Sequence, residues 1–187
     1  MAVLSSSLRV DTTIELHLLT EQDAEALYQL VEQNRAYLRE WLPWIDATQS
    51  IEDERMFISN TSMQYQSNQS STYAIWYQRQ IIGLIGYNQL DWPNRKVDIG
   101  YWLVAQHQGK GIMTRACRAL IEYALDDLKL NKVEIQCATM NQRSCAIPQR
   151  LGFTYEGTMR QAEWLYDHFV DLKLYGLLEG EWRGQRL

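Results

Sequence analysis

The sequence predicts one α/β domain built around a mixed β-sheet. Hydrophobic residues first recur every three or four positions, the period of a helix that is buried on one face, and after about residue 72 they alternate, the period of a strand. The most regular helical segment, residues 112–130, lies directly between two alternating segments. Strand, helix and strand in this order predict a right-handed crossover between two parallel strands. Since the chain has 187 residues, we expect residues 1–187 to form a single domain.

The first third of the chain predicts one strand and two helices. Residues 14–18 alternate between apolar and polar side chains and predict the strand. A weak capping box at residues 20–23 opens a helix, which is expected to end near Trp41 because a proline follows closely. Ser50 is expected to cap a second helix that reaches about Gln66 and leads into a polar loop.

The middle of the chain predicts three antiparallel strands. Residues 73–77 and 81–88 alternate, and the three residues between them, 78–80, are a connection of hairpin length. A turn over residues 91–94 leads to the third strand at residues 97–103.

The last part of the chain predicts the elements that complete the sheet. A strand over residues 133–137 follows the long helix, and a short helix is expected at residues 143–151. The remaining elements are a strand at residues 153–157, a loop at residues 157–167 and a final alternating strand at residues 170–177.

Composition and charge exclude several classes of protein. The net charge is −5, whereas a nucleic-acid-binding domain is normally basic, so we expect no direct nucleic-acid partner. The chain shows no apolar run of membrane-spanning length and no signal peptide, which predicts a cytoplasmic protein without a membrane partner. The three cysteines have no metal-ligand spacing and are expected to be reduced thiols, with no bound metal.

The most informative segment is residues 106–111, Gln-His-Gln-Gly-Lys-Gly, just before the longest helix. The two glycines allow a tight turn and close approach of the backbone to a ligand. The first amides of the helix have no partner within it, so with the helix dipole they form a site for a diphosphate. The segment does not match the G-x-x-x-x-G-K-[ST] pattern of a Walker loop, and it lacks the third glycine of a dinucleotide fingerprint. For the glycine pair alone, an ordinary turn is the favoured alternative.

Two motifs in a fixed order resemble the GNAT acetyltransferase superfamily. Residues 106–111 match its Q-x-x-G-x-G loop for the acyl-CoA pyrophosphate. Residues 141–144, Asn-Gln-Arg-Ser, followed by Arg-Leu-Gly-Phe at residues 150–153, match its N-x-x-[AS]…R-L-G-F segment. Residues 99–103 and 34–44 are similar to the RimJ/RimL branch, which contains acetyltransferases for the N-termini of ribosomal proteins. The resemblance spans about residues 13–178.

The resemblance implies a fold and a cosubstrate. The sheet would be mixed and mostly antiparallel, with helices on both faces and a central parallel pair splayed to hold acetyl-CoA. Amides of residues 108–111 would hold the diphosphate, and the main chain at residues 101–103 would align the pantetheine. Asn141 would bind the pantetheine arm. From the sequence alone, an alternative role for Asn141 as a helix N-cap is equally favoured. The implied cofactor-binding residues are Tyr101, Trp102, Leu103, Gln106, Gln108, Gly109, Lys110, Gly111, Met113 and Asn141.

The catalytic residues implied by the resemblance are Ser144 and Glu163. Many members of the superfamily place a tyrosine seven residues after the asparagine as the acid, but here that position is Pro148, which has no proton to give. RimL-type proteins use a serine at the position of Ser144 and a glutamate at the position of Glu163 as the base. The alternatives are that Ser144 only caps or packs the short helix and that Glu163 is a solvated loop residue.

We expect acetyl transfer from acetyl-CoA to a primary amine by direct attack in a ternary complex. The favoured acceptor is a protein N-terminus beginning with Ser, Thr or Ala, since aromatic residues in the segment 37–44 would form a narrow slot. A polyamine site would need convergent carboxylates, whereas Glu52, Asp53 and Glu54 are adjacent and fan around a helix. The alternatives are a small-amine acetyltransferase for a polyamine or an aminoglycoside and an inactive CoA-binding sensor. The oligomeric state, including a homodimer, stays open.

Overall fold

A computed structural model describes residues 4–185, in which eight strands form one sheet. The strands are β1 Ser7–Arg9, β2 Ile14–Leu18, β3 Ser71–Tyr77, β4 Gln80–Asp91, β5 Lys96–Leu103, β6 Lys132–Ala138, β7 Thr154–Leu165 and β8 His168–Leu178. The helices are α1 Ala24–Arg39, α2 Ile51–Gln66, α3 Ile112–Glu122, α4 Gln142–Arg150 and α5 Glu179–Gly184. In residues 4–185, no helix is both long enough and apolar enough to cross a membrane.

The sheet is antiparallel except at its centre, where β5 and β6 run parallel. The strand order is β1-β2-β3-β4-β5-β6-β8-β7. The parallel pair is joined only at its beginning, from Lys96 opposite Lys132 to Asp98 opposite Glu134. Beyond these positions β5 continues to Leu103 and β6 to Ala138 without pairing to each other. The two strands therefore splay apart, which confirms the predicted parallel pair and opens the sheet at its middle.

Helices cover both faces of the sheet, and the alternation of β3 and β4 shows which helix lies on which face. Tyr73 and Ile85 belong to the large core cluster that contains the buried residues of α3. Their neighbours Ala74 and Leu84 point the other way and pack with Ile58 of α2 and with residues of α1. The α3 face therefore carries α3, α4 and α5, and the α2 face carries α1 and α2.

Local sequence signals account for several element boundaries. The Ser50 hydroxyl accepts a hydrogen bond of 3.2 Å from the Asp53 amide, while the Asp53 carboxylate accepts one of 2.8 Å from the Ser50 amide. This reciprocal capping box fixes the start of α2. The β3–β4 hairpin turns on Gln78 and Arg79, both with positive φ, which matches a tight two-residue hairpin turn.

The structure corrects four expectations about the elements. The β3–β4 connection has two residues between the strands rather than three. Residues 157–167 are not a loop, because β7 runs to Leu165 and pairs with β8. The long helix changes to a wider turn at Tyr123–Asp127 and ends before residue 130. The short elements β1 and α5 had no distinct period in the sequence and were not expected.

Candidate active site

A cavity of about 1390 Å³ lies where β5 and β6 separate. Its wall is formed by the α1–α2 connection, the first turns of α2, the end of β5, the start of α3, α4 and part of β7. The sheet is open at this point, so the cavity is reached from both faces. Most of the site residues expected from the sequence contribute to the wall, with Gln106 and Lys110 as the two exceptions; both are exposed.

The loop before α3 presents a row of free backbone amides to the cavity. Gly109 and Gly111 have φ values of 71° and 70°, a left-handed conformation that favours glycine. Among residues 4–185, no carbonyl or side chain accepts a hydrogen bond from the amides of residues 109–113. These amides lie at the positive end of the α3 dipole, so the loop is an anion site that matches a diphosphate.

Gln108 connects this loop to three other elements. Its side-chain amide nitrogen donates to the Tyr37 hydroxyl of α1 and, at 3.2 Å, to the Leu103 carbonyl of β5. Its carbonyl oxygen accepts a hydrogen bond of 2.8 Å from the guanidinium of Arg143 in α4. The Gln108 side chain therefore fixes the loop in place and holds the Arg143 guanidinium beside the loop.

Asn141, Ser144 and Tyr101 form a second connected group in the cavity wall. Asn141 is the N-cap of α4, and its side-chain oxygen accepts a hydrogen bond of 3.0 Å from the Ser144 amide. The Ser144 hydroxyl donates to the Tyr101 hydroxyl at 3.3 Å, and Tyr101 donates to the Ser144 carbonyl at 3.2 Å. Burial raises the pKa of Tyr101 well above its ordinary value. Pro148 lies inside α4, so the phenol nearest to Ser144 comes from β5 instead of α4.

Glu163 reaches the cavity because β7 is irregular just before it. The pairing of β7 with β8 shifts between Met159 and Glu163, and in this bulge the Gln161 amide donates to Asp171 at 2.7 Å. A bulge of this kind re-aims the side chains that follow it. Glu163 is half-buried, forms no side-chain hydrogen bond within residues 4–185, and its pKa is raised by burial. It is therefore a strand residue in the cavity wall and not a solvated loop residue.

The strand register places Glu163 and Ser144 on opposite faces of the sheet. Glu163 pairs with Val170 and therefore shares a face with Leu172, which pairs with Ala138. That face is opposite to the one of the core residue Cys137, so Glu163 lies on the α2 face. Ser144 lies on the α3 face with α4. The gap between β5 and β6 is the route by which both side chains reach one cavity.

The charged side chains in the wall are segregated. We call the loop 105–114 together with α4 the amide half, and residues 41–60 together with Asp98 and Glu163 the carboxylate half. The arginines in the wall, Arg143 and Arg150, both belong to the amide half. The acidic residues in the wall, which are Asp53, Glu54, Asp98 and Glu163, all belong to the carboxylate half. A ligand that spans the cavity would therefore place its anionic part in one half and its cationic part in the other.

Sequence reasoning missed several wall residues. Neither arginine was expected, and Glu54 was expected only to fan around a helix. The two arginines belong to the Asn-Gln-Arg-Ser and Arg-Leu-Gly-Phe segments, in which other residues were singled out. Tyr101 was expected to contribute its main chain, and its alternation with Ile99 and Leu103 also places its side chain on the α3 side. The aromatic segment met its expectation, because Trp41 and Trp44 line the carboxylate half.

The cysteines are buried free thiols, as expected for core residues. Burial raises the pKa of Cys137 to about 12 and that of Cys117 above its ordinary range. A thiol with a raised pKa is a poor nucleophile at neutral pH. The arrangement therefore favours direct attack by an acceptor over a covalent acyl-cysteine step.

A splayed parallel pair next to an amide-lined helix terminus is the architecture of acyltransferases that use coenzyme A thioesters. The comparisons with known proteins agree with this class. The family model described as "Acetyltransferase (GNAT) domain" matches residues 13–154. This chain belongs to the GNAT acetyltransferase family and to the group of enzymes that this family defines.

Three relatives show how far the similarity extends. YdaF of Bacillus subtilis (strain 168) is 37% identical, covering 95% of this chain and 98% of YdaF. The ribosomal-protein-serine acetyltransferase of Escherichia coli (strain K12) is 34% identical, covering 92% of this chain and 96% of the relative. The structure of the microcin C7 self-immunity acetyltransferase MccE, in complex with acetyl-CoA and AMP, superposes with a TM-score of 0.90 at 32% identity, covering 95% of this chain and 98% of MccE.

Proposed function

We propose that this protein transfers the acetyl group of acetyl-CoA to the α-amine of a protein N-terminus that begins with a small residue. The observation that carries the proposal is the cavity itself, which joins an anion site on one face of the sheet to Glu163 on the other. The ribosomal-protein-serine acetyltransferase of Escherichia coli supports the choice of acceptor, because the similarity covers almost the whole of both chains.

In this proposal the amide half holds the cosubstrate. The free amides of residues 109–113 donate hydrogen bonds to the diphosphate oxygens, and Arg143 adds a positive charge beside them. Main-chain groups at Tyr101–Leu103 and the amide group of Asn141 align the pantetheine. The oxygen of the Asn141 side chain already caps α4, so its nitrogen is the atom left for the ligand. Met113 contributes an apolar contact at the base of the loop.

Glu163 acts as the base. The α-amine of a peptide has a pKa of about 7.7–8.0, so it is partly neutral at pH 7 and needs only modest help to lose its proton. The raised pKa of Glu163 brings this carboxylate closer to the pKa of the amine and makes it a better proton acceptor. Glu163 takes the proton from the amine, directly or through one water, as the nitrogen forms its bond to the acetyl carbon.

Ser144 acts at the leaving sulfur. When the carbon–sulfur bond breaks, the sulfur carries the negative charge, and the Ser144 hydroxyl donates a hydrogen bond or its proton to it. The phenol of Tyr101, at 3.3 Å from the Ser144 hydroxyl, orients that hydroxyl and is the nearest group that can return a proton to it. The overall reaction converts a thioester and an amine into an amide and a thiol, with one proton passed from nitrogen to sulfur.

The test is a turnover assay on short peptides that differ only in their first residue. We expect thiol release with peptides that begin with Ser, Thr or Ala, and a mass increase located at the α-amine. Peptides with a bulky first residue are expected to be poor acceptors because the aromatic wall at Trp41 and Trp44 narrows the slot. Absence of turnover with every peptide would refute the proposal.

A second candidate acceptor is a small polyamine or another cationic amine. One observation favours it: carboxylates from three elements, α2, β5 and β7, line the same cavity. The expectation about acidic residues considered α2 alone and did not include Asp98 and Glu163. The same assay with spermidine and an aminoglycoside decides the question, since a specificity constant for spermidine tenfold above the best peptide would reverse the assignment.

A further inference from the structure

Glu54 is a buried carboxylate in the cavity wall that the catalytic scheme does not use. It lies in the first turn of α2, one turn before Ile58, which packs in the core of the α2 face. Its side chain lines the cavity although the residue is only 3% exposed. Its two acidic neighbours have other roles, since Asp53 completes the capping box with Ser50 and Glu52 pairs with Arg55 at the surface.

The Glu54 carboxylate has no partner among the described residues. Its Oε1 atom is shielded from solvent and accepts no hydrogen bond within residues 4–185, and no cation there pairs with it. Burial, with a smaller contribution from Asp53, raises the pKa of Glu54 to about 7. A buried polar group without a partner destabilises the fold, because it has lost its hydrogen bonds to water without gaining others. By contrast, Asp98 in the same half accepts hydrogen bonds from Asn88 and Gln89.

The position of Glu54 indicates which part of a substrate it meets. Like Glu163, it is on the α2 face, so an acceptor that approaches the gap between β5 and β6 from that face passes between α2 and β7. The arginines of the wall are in the amide half, so an anionic group of a ligand is favoured in the amide half and a cationic group is favoured in the carboxylate half. A bound ammonium would supply both the charge and the hydrogen-bond donors that Glu54 lacks.

We propose that Glu54 is the specificity-determining residue that binds the ammonium form of the acceptor amine. The proposal rests on the proposed function, because it assigns a role to a residue in the acceptor site of that reaction. Glu54 binds the protonated amine on arrival. Glu163 then takes one proton so that the neutral amine can attack, and the second nitrogen proton is lost as the amide forms and the leaving sulfur is protonated. The protein would thereby select acceptors with a charged terminal amine over those in which the amine is blocked.

The experiment compares two peptides that differ only at the α-amine, one free and one Nα-acetylated, both beginning with Ser. Their dissociation constants are measured at about pH 7.5 on protein saturated with CoA, which permits binding without acetyl transfer. The variants are Glu54→Gln, which keeps the shape and removes the charge, and Glu52→Gln, a matched control on the exposed side of the same helix. Thermal unfolding and the acetyl-CoA dissociation constant verify that each variant is folded.

We expect wild type and Glu52→Gln to bind the free peptide about tenfold more tightly than the acetylated one, and Glu54→Gln to lose this preference. A preference that survives in Glu54→Gln would overturn the assignment. An equal loss of affinity for both peptides would also overturn it, because it would show a structural role. Failure of wild type to acetylate any free peptide would be a different result, since it refutes the proposed function whatever the Glu54 variant does.

Discussion

The two halves of the cavity differ in how their charge is made. The amide half combines free backbone amides at the start of α3 with two arginines of α4, and the carboxylate half has only side-chain charges, on three separate elements. A backbone site depends on conformation and tolerates many side chains. A side-chain site changes with a single substitution. The family can therefore keep one cosubstrate while its members differ in their acceptors.

The largest expected effect is a change in backbone conformation in the amide half. Gly111→Val should abolish acetyl-CoA binding, because valine disfavours the φ of 70° and its side chain would occupy the space in front of the free amides. Calorimetric titration with acetyl-CoA measures the loss, which we expect to exceed about 10²-fold. Gly109→Val, with a φ of 71°, should behave in the same way.

The matched control is Gly157→Val. Gly157 also has a positive φ, of 153°, and like Gly111 its substituted Cβ would meet no other atom within 4 Å, but it does not line the cavity. This variant should keep its affinity for acetyl-CoA even if it loses some stability. Unchanged affinity in the Gly109 and Gly111 variants would remove the basis for calling this half a diphosphate site.

The next effect concerns the carboxylate half. Glu163→Gln keeps the size of the side chain and removes the base, so turnover on a peptide acceptor should fall by about 10²-fold while acetyl-CoA affinity stays nearly constant. Because burial raises the pKa of Glu163, wild-type turnover should fall as the pH drops through this raised value and the carboxylate becomes protonated. The variant should lose that dependence and recover toward wild type at high pH, where the amine deprotonates without help. Equal pH profiles for the two proteins would exclude Glu163 as the base.

Substitutions where the two halves meet should lower turnover by as much as Glu163→Gln or by less. Ser144→Ala removes the hydroxyl that acts on the leaving sulfur and should lower turnover by up to about 10²-fold. Tyr101→Phe removes only the group that orients this hydroxyl, so its loss should be about tenfold or less. Single-turnover kinetics on a peptide acceptor measures both.

The double variant tests whether the two hydroxyls act together. If Tyr101 works through Ser144, the double variant should be no slower than Ser144→Ala alone, since the cycle of variants then shows full coupling. Independent, multiplying losses would mean that Tyr101 acts on the substrate by itself.

The elements of the fold follow mostly from local sequence signals. The capping box at Ser50, the alternation on β5 and the glycines of the loop are short-range patterns, and each predicted its element close to where it lies. The extent of β7 was not predictable in this way. Its pairing with β8 is interrupted between Met159 and Glu163, so the segment has no continuous period of two.

Local patterns predicted the site only where the backbone makes it, and Ser144 and Glu163 were named through the family resemblance. The order of the loop and the Asn141 segment indicated the anion site and the position of Ser144. The contact of Tyr101 with Ser144 joins residues that are 43 positions apart, and no local pattern shows it. The argument from the fan of Glu52, Asp53 and Glu54 considered one helix, whereas the tertiary structure adds Asp98 of β5 and Glu163 of β7 to the wall of the same cavity.

The last expected effect is on stability and not on binding or turnover, and it tests whether the carboxylate half holds an uncompensated charge when no acceptor is bound. The ordinary pKa of a glutamate is 4.5, and burial raises that of Glu54 to about 7, so between these pH values the folded protein binds more protons than the unfolded chain. The contribution of Glu54 to the free energy of unfolding must therefore fall as the pH rises through this window.

Asp53 on the same helix and Asp98 and Glu163 across the cavity contribute their own titrations, so the difference between two proteins is the quantity to measure. Urea unfolding from pH 4 to pH 8 should show wild type and Glu54→Gln equally stable at the acid end, and Glu54→Gln more stable by about 3 kcal/mol at pH 8. Glu52→Gln, which removes an exposed charge, should show no such divergence. A constant difference in unfolding free energy between wild type and Glu54→Gln across the whole pH range would mean that the Glu54 carboxylate is already compensated in the free protein. The amide half and the carboxylate half would then both be complete without a ligand, and the contrast between them would not hold.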